Sequence, residues 1–205
     1  MNKLILNAVA VTVAVVFLIG FGVCAQTKSA PAVGTFKDSR DGKTYKTVKV
    51  DGKTWMAENL NFVATESKCY KNEDANCAKY GRLYNWATAL EACPAGFHLP
   101  TDDEWAALED AVGGRSTAGT KLKSAVGWNE NGNGTNDYGF SALPGGDGSS
   151  AGSFFYAGNY GNWWSATEDS ANNAWIRAMS YDKEHMDRIP SGTITTLYSV
   201  RCVQN

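Results

Sequence analysis

The fold is decided by residues 93–105 in the middle of the chain, which have the sequence CPAGFHLPTDDEW. Thr101 stands where a helix N-cap belongs, and Glu104, three residues later, completes a capping box just ahead of the apolar residue Trp105. A second segment, residues 199–203 (SVRCV), has the pattern of a strand. The first segment therefore predicts a loop that leads into a helix, and the second predicts a strand near the end of the chain. Each segment contains one cysteine.

Composition bounds the class of protein. The chain has 205 residues, of which 43% are hydrophobic and 20% charged, enough for one well-filled domain rather than two. The formal net charge of −2 gives no basic patch, so it indicates neither nucleic acid nor an anionic membrane as a partner.

The first 25 residues have the pattern of an export signal. Lys3 precedes the apolar run at residues 4–23, and the small residues around Cys24 predict cleavage after Ala25. Two alternatives stay open, because the apolar run is long enough for an uncleaved membrane anchor and Cys24 is a candidate for lipidation. Each alternative places the protein outside the cytoplasm, either secreted or associated with the cell envelope.

Removal of the signal leaves four cysteines, which allow two disulfides in three connectivities. We favour Cys69–Cys77, which clips a short polar loop, together with Cys93–Cys202, which closes a loop of more than a hundred residues. The chain-entropy model values the longer closure at roughly 4–5 kcal/mol. A structural zinc site is not indicated, because the sequence has no Cys-x-x-Cys pair.

The mature chain divides into a tether at residues 26–36 and a single domain at residues 37–205. Asp41-Gly42 and Asp51-Gly52 lie between β-forming residues and predict two-residue hairpin turns. Two helices follow. The first is predicted from an apolar stripe and the second from the capping box and its own stripe. The first stripe is Leu83, Trp86, Ala87 and Leu90, before Pro94; the second is Trp105, Leu108 and Val112, before Gly113-Gly114.

Three strand-like runs lie in the second half of the chain, at residues 163–167, 174–179 and 197–203. Helices in the first half and strands in the second predict an α+β fold, with the helices packed against an antiparallel sheet.

Several motifs in one order carry a family resemblance. They are DGKTY (41–45), WMAENLN (55–61), YGRLYNW (80–86), FHLPT (97–101), YGFSALPGG (138–146), WWS (163–165) and SVRC (199–202). Together they resemble the Fibrobacter succinogenes major paralogous domain. The resemblance implies a bacterial exported or surface protein with a C-type-lectin-like fold, in which two main helices pack on irregular antiparallel sheets with long loops. That fold is shared with the formylglycine-generating enzymes.

The resemblance does not imply an enzymatic activity for this chain. The related oxidases depend on a reactive cysteine pair near the C-terminus that handles copper, whereas the last third of this chain holds only Cys202. The carboxylates Asp102, Asp103 and Glu104 stand in the first turn of a helix, where they favour the cap and the dipole. His98 is expected to be a buried, hydrogen-bonded residue. We therefore expect no catalytic residues.

Calcium is the cofactor that lectins of this fold often use, and the run at residues 129–137 (NENGNGTND) has oxygen ligands at alternate positions. It lacks a bidentate Glu at the spacing of an EF-hand, and Asn and Gly also build turns for conformational reasons. We therefore expect no cofactor or metal, with calcium as the open alternative.

Aromatic rings in the glycine-rich loops suggest ligand binding, since rings can stack on sugars while neighbouring amides and carboxylates bond to hydroxyls. The candidate residues are Trp128, Asn131, Asn133, Asp137, Tyr156 and Tyr160. The expected function is a non-catalytic surface binding or adhesion module for carbohydrate, such as plant cell-wall polysaccharide. The alternatives are a protein–protein interaction module of the cell envelope and a divergent enzyme of the formylglycine-generating group.

Overall fold

The computed structural model describes residues 31–205, which form twelve β-strands and four α-helices. The predicted export signal, with its alternatives at Cys24, lies outside the described residues. Within residues 31–205, no helix combines the length and the apolar character needed to cross a bilayer.

The elements are short and are separated by long loops. The strands are β1 (Val33–Lys37), β2 (Thr44–Val50), β3 (Lys53–Met56), β4 (Leu83–Tyr84), β5 (Phe97–His98), β6 (Asp147–Gly148), β7 (Phe154–Phe155), β8 (Tyr160–Ser170), β9 (Asn173–Ser180), β10 (Met186–Thr193), β11 (Tyr198–Ser199) and β12 (Val203–Gln204). The helices are α1 (Asp74–Tyr80), α2 (Trp86–Ala92), α3 (Asp102–Ala111) and α4 (Arg115–Leu122).

Two five-stranded sheets carry the fold, which is mixed α+β as the sequence predicts. The first sheet has the order β1-β2-β3-β12-β5 and the second the order β10-β9-β8-β11-β4, while β6 and β7 pair separately. The paired strands run antiparallel, except that β11 runs parallel to β8. Helices α1 and α4 are additional to the two that the sequence predicts.

The first sheet opens with two hairpins. Asp51 and Gly52 have φ values of 46° and 80°, so the predicted two-residue turn between β2 and β3 is confirmed. The prediction for Asp41-Gly42 is wrong, because β1 and β2 are joined by the six residues 38–43. Asp38 organises this longer loop through hydrogen bonds from the backbone and guanidinium of Arg40, each at 3.0 Å.

The predicted tether at residues 26–36 overlaps a strand. Val33 to Phe36 belong to β1, which pairs with β2 from Val33 opposite Val48 to Lys37 opposite Thr44. The ring of Phe36 packs on that of Phe97, with centroids 4.6 Å apart. The sequence did not show this strand, because a strand at a sheet edge needs little apolar periodicity when its backbone is paired.

Helix α2 begins later than the apolar stripe predicts. Leu83 lies in β4, paired with Ser199, and the Asn85 side chain caps the helix by accepting a hydrogen bond from the Thr88 N–H at 2.9 Å. The helix buries Ala89 and Ala92, whereas Leu90 of the predicted stripe is 42% exposed. The stripe therefore combined residues from a strand and a helix that share no face.

Helix α3 confirms the capping box. The Thr101 hydroxyl accepts a hydrogen bond from the Glu104 N–H at 3.2 Å, and the Glu104 carboxylate accepts one from the Thr101 N–H at 2.9 Å. The predicted stripe of Trp105, Leu108 and Val112 is buried. The Trp105 ring packs on Trp55 of the first sheet at 5.1 Å and on Trp163 of the second at 6.5 Å, so this helix joins the two sheets.

Besides β4, the second sheet contains another strand that the sequence pattern missed. Strand β10 pairs with β9, but its register shifts between Ile189 and Gly192, around Pro190. Proline removes a backbone donor and is confined to sheet edges and bulges, which is where Pro190 stands. The predicted run at residues 197–203 divides into β11 and β12, which belong to different sheets.

Both favoured disulfides are confirmed. Cys69 bonds to Cys77 and Cys93 bonds to Cys202, across 8 and 109 residues of sequence. The first disulfide encloses the start of α1, so the loop predicted as polar is partly helical. The second ties the end of α2 to the segment between β11 and β12, in a cluster that buries Tyr84, Trp164 and Val200.

Candidate functional site

The second sheet has one face against α3 and one face that is partly open. Side chains alternate along a strand, so β8 directs Trp163 towards α3 and turns Tyr160 and Asn162 to the other face. There Tyr160 lies opposite Ser180 and Asn162 opposite Ala178 of β9. This open face, with the loop that carries β6 and β7, forms a cleft of about 430 Å³.

Residues from four parts of the chain line this cleft. Three tyrosines contribute rings, two polar side chains lie beside them, and an ion pair stands on the β10 side. These residues are Tyr156, Tyr160 and Tyr198, then Asp147 and Asn162, then Lys183 and Asp187. The volume is in the range of sites that bind small organic ligands.

Backbone bonds on both sides of Asp147 hold it at the cleft. The Gly146 N–H donates to the Tyr160 carbonyl at 2.7 Å, and Gly148 exchanges two hydrogen bonds with Leu197 at 3.0 and 2.7 Å. Gly146 has a φ of 68°, and a Cβ atom there would lie 2.3 Å from the Phe155 carbonyl oxygen. Only glycine fits this turn, so the GGDG sequence at residues 145–148 serves to place the carboxylate.

Tyr156 is held in an unusual backbone conformation. Its φ is 66°, in the left-handed region, which a bulky residue rarely adopts and which costs about 1–3 kcal/mol. Its carbonyl accepts hydrogen bonds from the N–H groups of Asn159 and Tyr160, which fix the turn. The ring is 57% exposed and stands edge-on to the Tyr160 ring at 5.5 Å, so the strained turn presents an aromatic pair to solvent.

The carboxylate of Asp147 lies in the cleft without a hydrogen-bonding or charged partner among the described residues. Burial raises its pKa to about 6. The Asn162 amide, on a buried residue in the cleft floor, likewise has no side-chain partner within residues 31–205. Two polar side chains thus line one cleft with their hydrogen-bonding capacity unused.

The carboxylate on the opposite side is fully paired. Asp187 contacts Arg115 at 2.9 Å, His185 at 3.2 Å and Lys183 at 3.5 Å. Burial would raise the pKa of Asp187, but these cations outweigh it and hold the pKa below its ordinary value. Lys183 pairs with Asp187 in the same cluster, so among the described residues the charge of Asp147 has no counter-charge.

The comparisons identify the family. The sequence model of the Fibrobacter succinogenes major domain matches residues 48–204, most of the chain. The chain belongs to this family. No curated protein and no solved structure matches the chain.

Two of the six predicted ligand residues of this major domain, Tyr156 and Tyr160, line the cleft together. The prediction for Trp128 is wrong, because its ring is only 4% exposed. Its indole N–H donates to the Ala142 carbonyl at 3.0 Å, and the Lys123 ammonium group lies 5.2 Å from the ring centroid. Trp128 fills the core beneath the loop and cannot stack on a ligand from outside.

The other three predicted residues lie in the loop at residues 129–137, apart from the cleft. Asn131 is exposed at the end of a 3₁₀ turn, and Asp137 is half-buried. The Asn133 side chain accepts a hydrogen bond from the Trp128 N–H at 3.0 Å, so it shapes the loop. Residues 31–205 contain no group of three or more His, Cys, Asp or Glu side chains suited to a metal ion.

Three cleft residues of the major domain, Asp147, Asn162 and Tyr198, were missed by sequence reasoning. The GGDG turn was the available signal for Asp147, since glycines on both sides of one carboxylate indicate a tightly placed backbone. Asn162 and Tyr198 gave no signal, because only the pairing of β8 with β9 and β11 brings them together.

Two of the three carboxylates at the start of α3 make contacts that hold the fold together. The buried Asp102 carboxylate accepts hydrogen bonds from Arg177 and Arg188, and Glu104 completes the helix cap. His98 is hydrogen-bonded as predicted, to Glu104 at 2.8 Å and Asn205 at 2.6 Å, but it is half-exposed rather than buried.

Proposed function

We propose that this major domain is an exported, non-catalytic binding module of C-type-lectin-like fold, which binds carbohydrate in the cleft between Tyr156 and Asp187. The observation that carries the proposal is the pairing of exposed tyrosine rings with polar side chains that no residue of the described chain satisfies. Sugars present apolar ring faces and hydroxyl groups together, and such a site complements both.

Export is supported by the two disulfides, because disulfides form and persist in oxidising compartments. The lectin-like fold is supported by the closure of the chain through Cys93 and Cys202 and by the long loops over short strands. A binding rather than a catalytic role is supported by the bond between Cys93 and Cys202, which leaves no thiol at Cys202 for oxidase chemistry.

The test is calorimetric titration of the chain without its leader with soluble oligosaccharides from plant cell walls. Tyr156→Ala and Tyr160→Ala are expected to weaken binding about tenfold or more, since each removes a stacking ring. Trp175→Ala is the matched control, because Trp175 is a half-exposed ring on the other face of β9, stacked on Arg188. The control should bind like the unchanged chain.

Absence of saturable binding to any oligosaccharide, or equal binding by all four proteins, would contradict the proposal. A protein partner is the second candidate, favoured by Phe155, which is 47% exposed beside Tyr156. It would appear as capture of an envelope protein that added sugar does not displace and that Phe155→Ser abolishes. Turnover of a captured ligand that persists with chelator and reductant would instead indicate an enzyme.

A further inference from the structure

The negative charge of Asp147 in the cleft has no counter-charge among residues 31–205. Lys183 and Asp187 pair with each other, and Arg115 and His185 add to the compensation of Asp187. Asp147 stands apart from this cluster on β6, and no cation of the described chain reaches its carboxylate. A half-buried carboxylate without a partner is costly in the free protein, and a cationic ligand removes that cost.

Aromatic rings line the same cleft as this carboxylate. Tyr156 and Tyr160 form an edge-on pair on one side, and Tyr198 of β11 lies near enough for the charge of Asp147 to act on its hydroxyl. Burial and, after it, the charge of Asp147 raise the pKa of Tyr198 to about 12, so its hydroxyl stays neutral at physiological pH. Neutral ring faces attract ammonium groups, and this attraction is stronger where water is excluded.

We infer that the cleft selects an amino sugar, with the free ammonium group of the ligand against Asp147 and its sugar ring on Tyr156 and Tyr160. This inference rests on the proposed function and names its ligand class. The Asn162 amide supplies a donor and an acceptor for a ring hydroxyl on the cleft floor. A neutral sugar would leave the carboxylate of Asp147 desolvated and without an opposite charge.

The experiment compares two tetramers with the same sugar backbone, tetra-glucosamine and its fully N-acetylated form, by calorimetric titration at pH 7.0, where Asp147 is mostly ionised and the amino groups of tetra-glucosamine keep part of their charge. The unchanged chain is expected to bind tetra-glucosamine about tenfold or more tightly, because a charge-assisted hydrogen bond is lost in the acetylated form. Asp147→Asn should abolish this preference. Asp169→Asn removes the same charge from the exposed far end of β8 and should keep the preference.

Each possible result either supports or overturns the inference of an amino-sugar ligand. Equal or tighter binding of the acetylated tetramer would overturn the inference while leaving the carbohydrate proposal intact, and no binding of either tetramer or of any plant oligosaccharide would overturn both. Tighter binding of tetra-lysine than of tetra-glucosamine would support recognition of a cationic group by Asp147 but would contradict the inference that the ligand is a sugar. The comparison of the two tetramers on the unchanged chain needs no variant, so it remains decisive if Asp147→Asn fails to fold.

Discussion

The Asn59 side-chain oxygen accepts a hydrogen bond at 2.8 Å from the guanidinium of Arg201, which lies 142 residues further along the chain. The same oxygen accepts the Trp163 indole N–H at 2.9 Å. Arg201 is fully buried, and its other donors reach backbone carbonyls that include those of Met56 and Phe140. Three of the family's sequence motifs therefore meet at one amide oxygen.

Replacement of Asn59 should strongly destabilise the domain. Burial lowers the pKa of Arg201 to about 9, which still leaves the guanidinium charged at neutral pH and dependent on its acceptors. Asn59→Leu is expected to lower the free energy of unfolding by about 3 kcal/mol or more, measured by urea denaturation. Asn61→Leu, two residues away and half-buried, is the control and should cost far less. Equal losses in the two variants would contradict the role of Asn59.

The two disulfides should contribute unequally to stability. In the chain-entropy model, closure of the 109-residue loop by Cys93–Cys202 contributes about 4.8 kcal/mol, against about 2.5 kcal/mol for the 8-residue loop of Cys69–Cys77. Each cysteine pair is changed to serine, and the free energies of unfolding are compared in urea. A greater loss from the shorter loop would show that strain or local packing, rather than loop length, sets the contribution.

Glu104 should make the domain sensitive to acid. Burial would raise the pKa of Glu104, but hydrogen bonds from Lys53, the Thr101 N–H and His98 outweigh it and bring the pKa to about 2. Because this value lies below the ordinary 4.5, the stability it contributes is present above pH 4.5 and is lost as the pH falls towards 2. Glu104→Gln keeps the cap geometry without the charge.

We expect thermal unfolding to show Glu104→Gln less stable than the unchanged chain at pH 7 and equal to it near pH 2. Glu168→Gln, at an exposed position of β8, should follow the unchanged chain throughout. A constant difference between Glu104→Gln and the unchanged chain from pH 7 to pH 2 would exclude the charge of Glu104 as the cause.

Asp147 should have the opposite effect on stability. Its pKa of about 6 lies above the ordinary 3.8, so the folded state holds the proton more tightly between these values. The ionised carboxylate therefore destabilises the free domain above pH 6, and the cost disappears as the pH falls towards 4. Tyr198 is neutral in this range, and Lys183 and Asp187 on the far wall pair with each other.

Without ligand, Asp147→Asn should accordingly unfold at a higher temperature than the unchanged chain at pH 8 and at the same temperature at pH 4. A thermal scan across this range checks it, with Asp169→Asn as the control of equal charge. A variant less stable at pH 8 would mean that Asp147 has a stabilising partner in the folded protein.

Three signals in the sequence predicted structure correctly. The capping box at Thr101, the Asp51-Gly52 turn and the cysteine pairing each depend on a few neighbouring residues or on a small number of combinations. Strand β10 and the start of α2 could not be predicted in this way. Pro190 is tolerated only because β10 is a sheet edge, and Leu83 is a strand residue only because Ser199 pairs with it.

The candidate site shows the same division. Tyr156 and Tyr160 were predicted because aromatic residues in a glycine-rich loop are visible in the sequence. Trp128 satisfied the same rule and proved to be core, since the rule does not say which side of the loop a ring occupies. Asp147 and Asn162 line the same cleft only because β6 lies against β8. That placement depends on the hydrogen bond from the Gly146 N–H to the Tyr160 carbonyl.

Strands β11 and β12 lie inside the two large sheets, each with a neighbour on both sides. Neither sheet can be completed before residues 198–204 have been synthesised, so a nascent chain has no stable intermediate with a whole sheet. Passage through a narrow secretion channel requires an unfolded polypeptide. The late position of these two strands thus keeps both sheets incomplete until translation of the domain has finished, which suits the export that we propose.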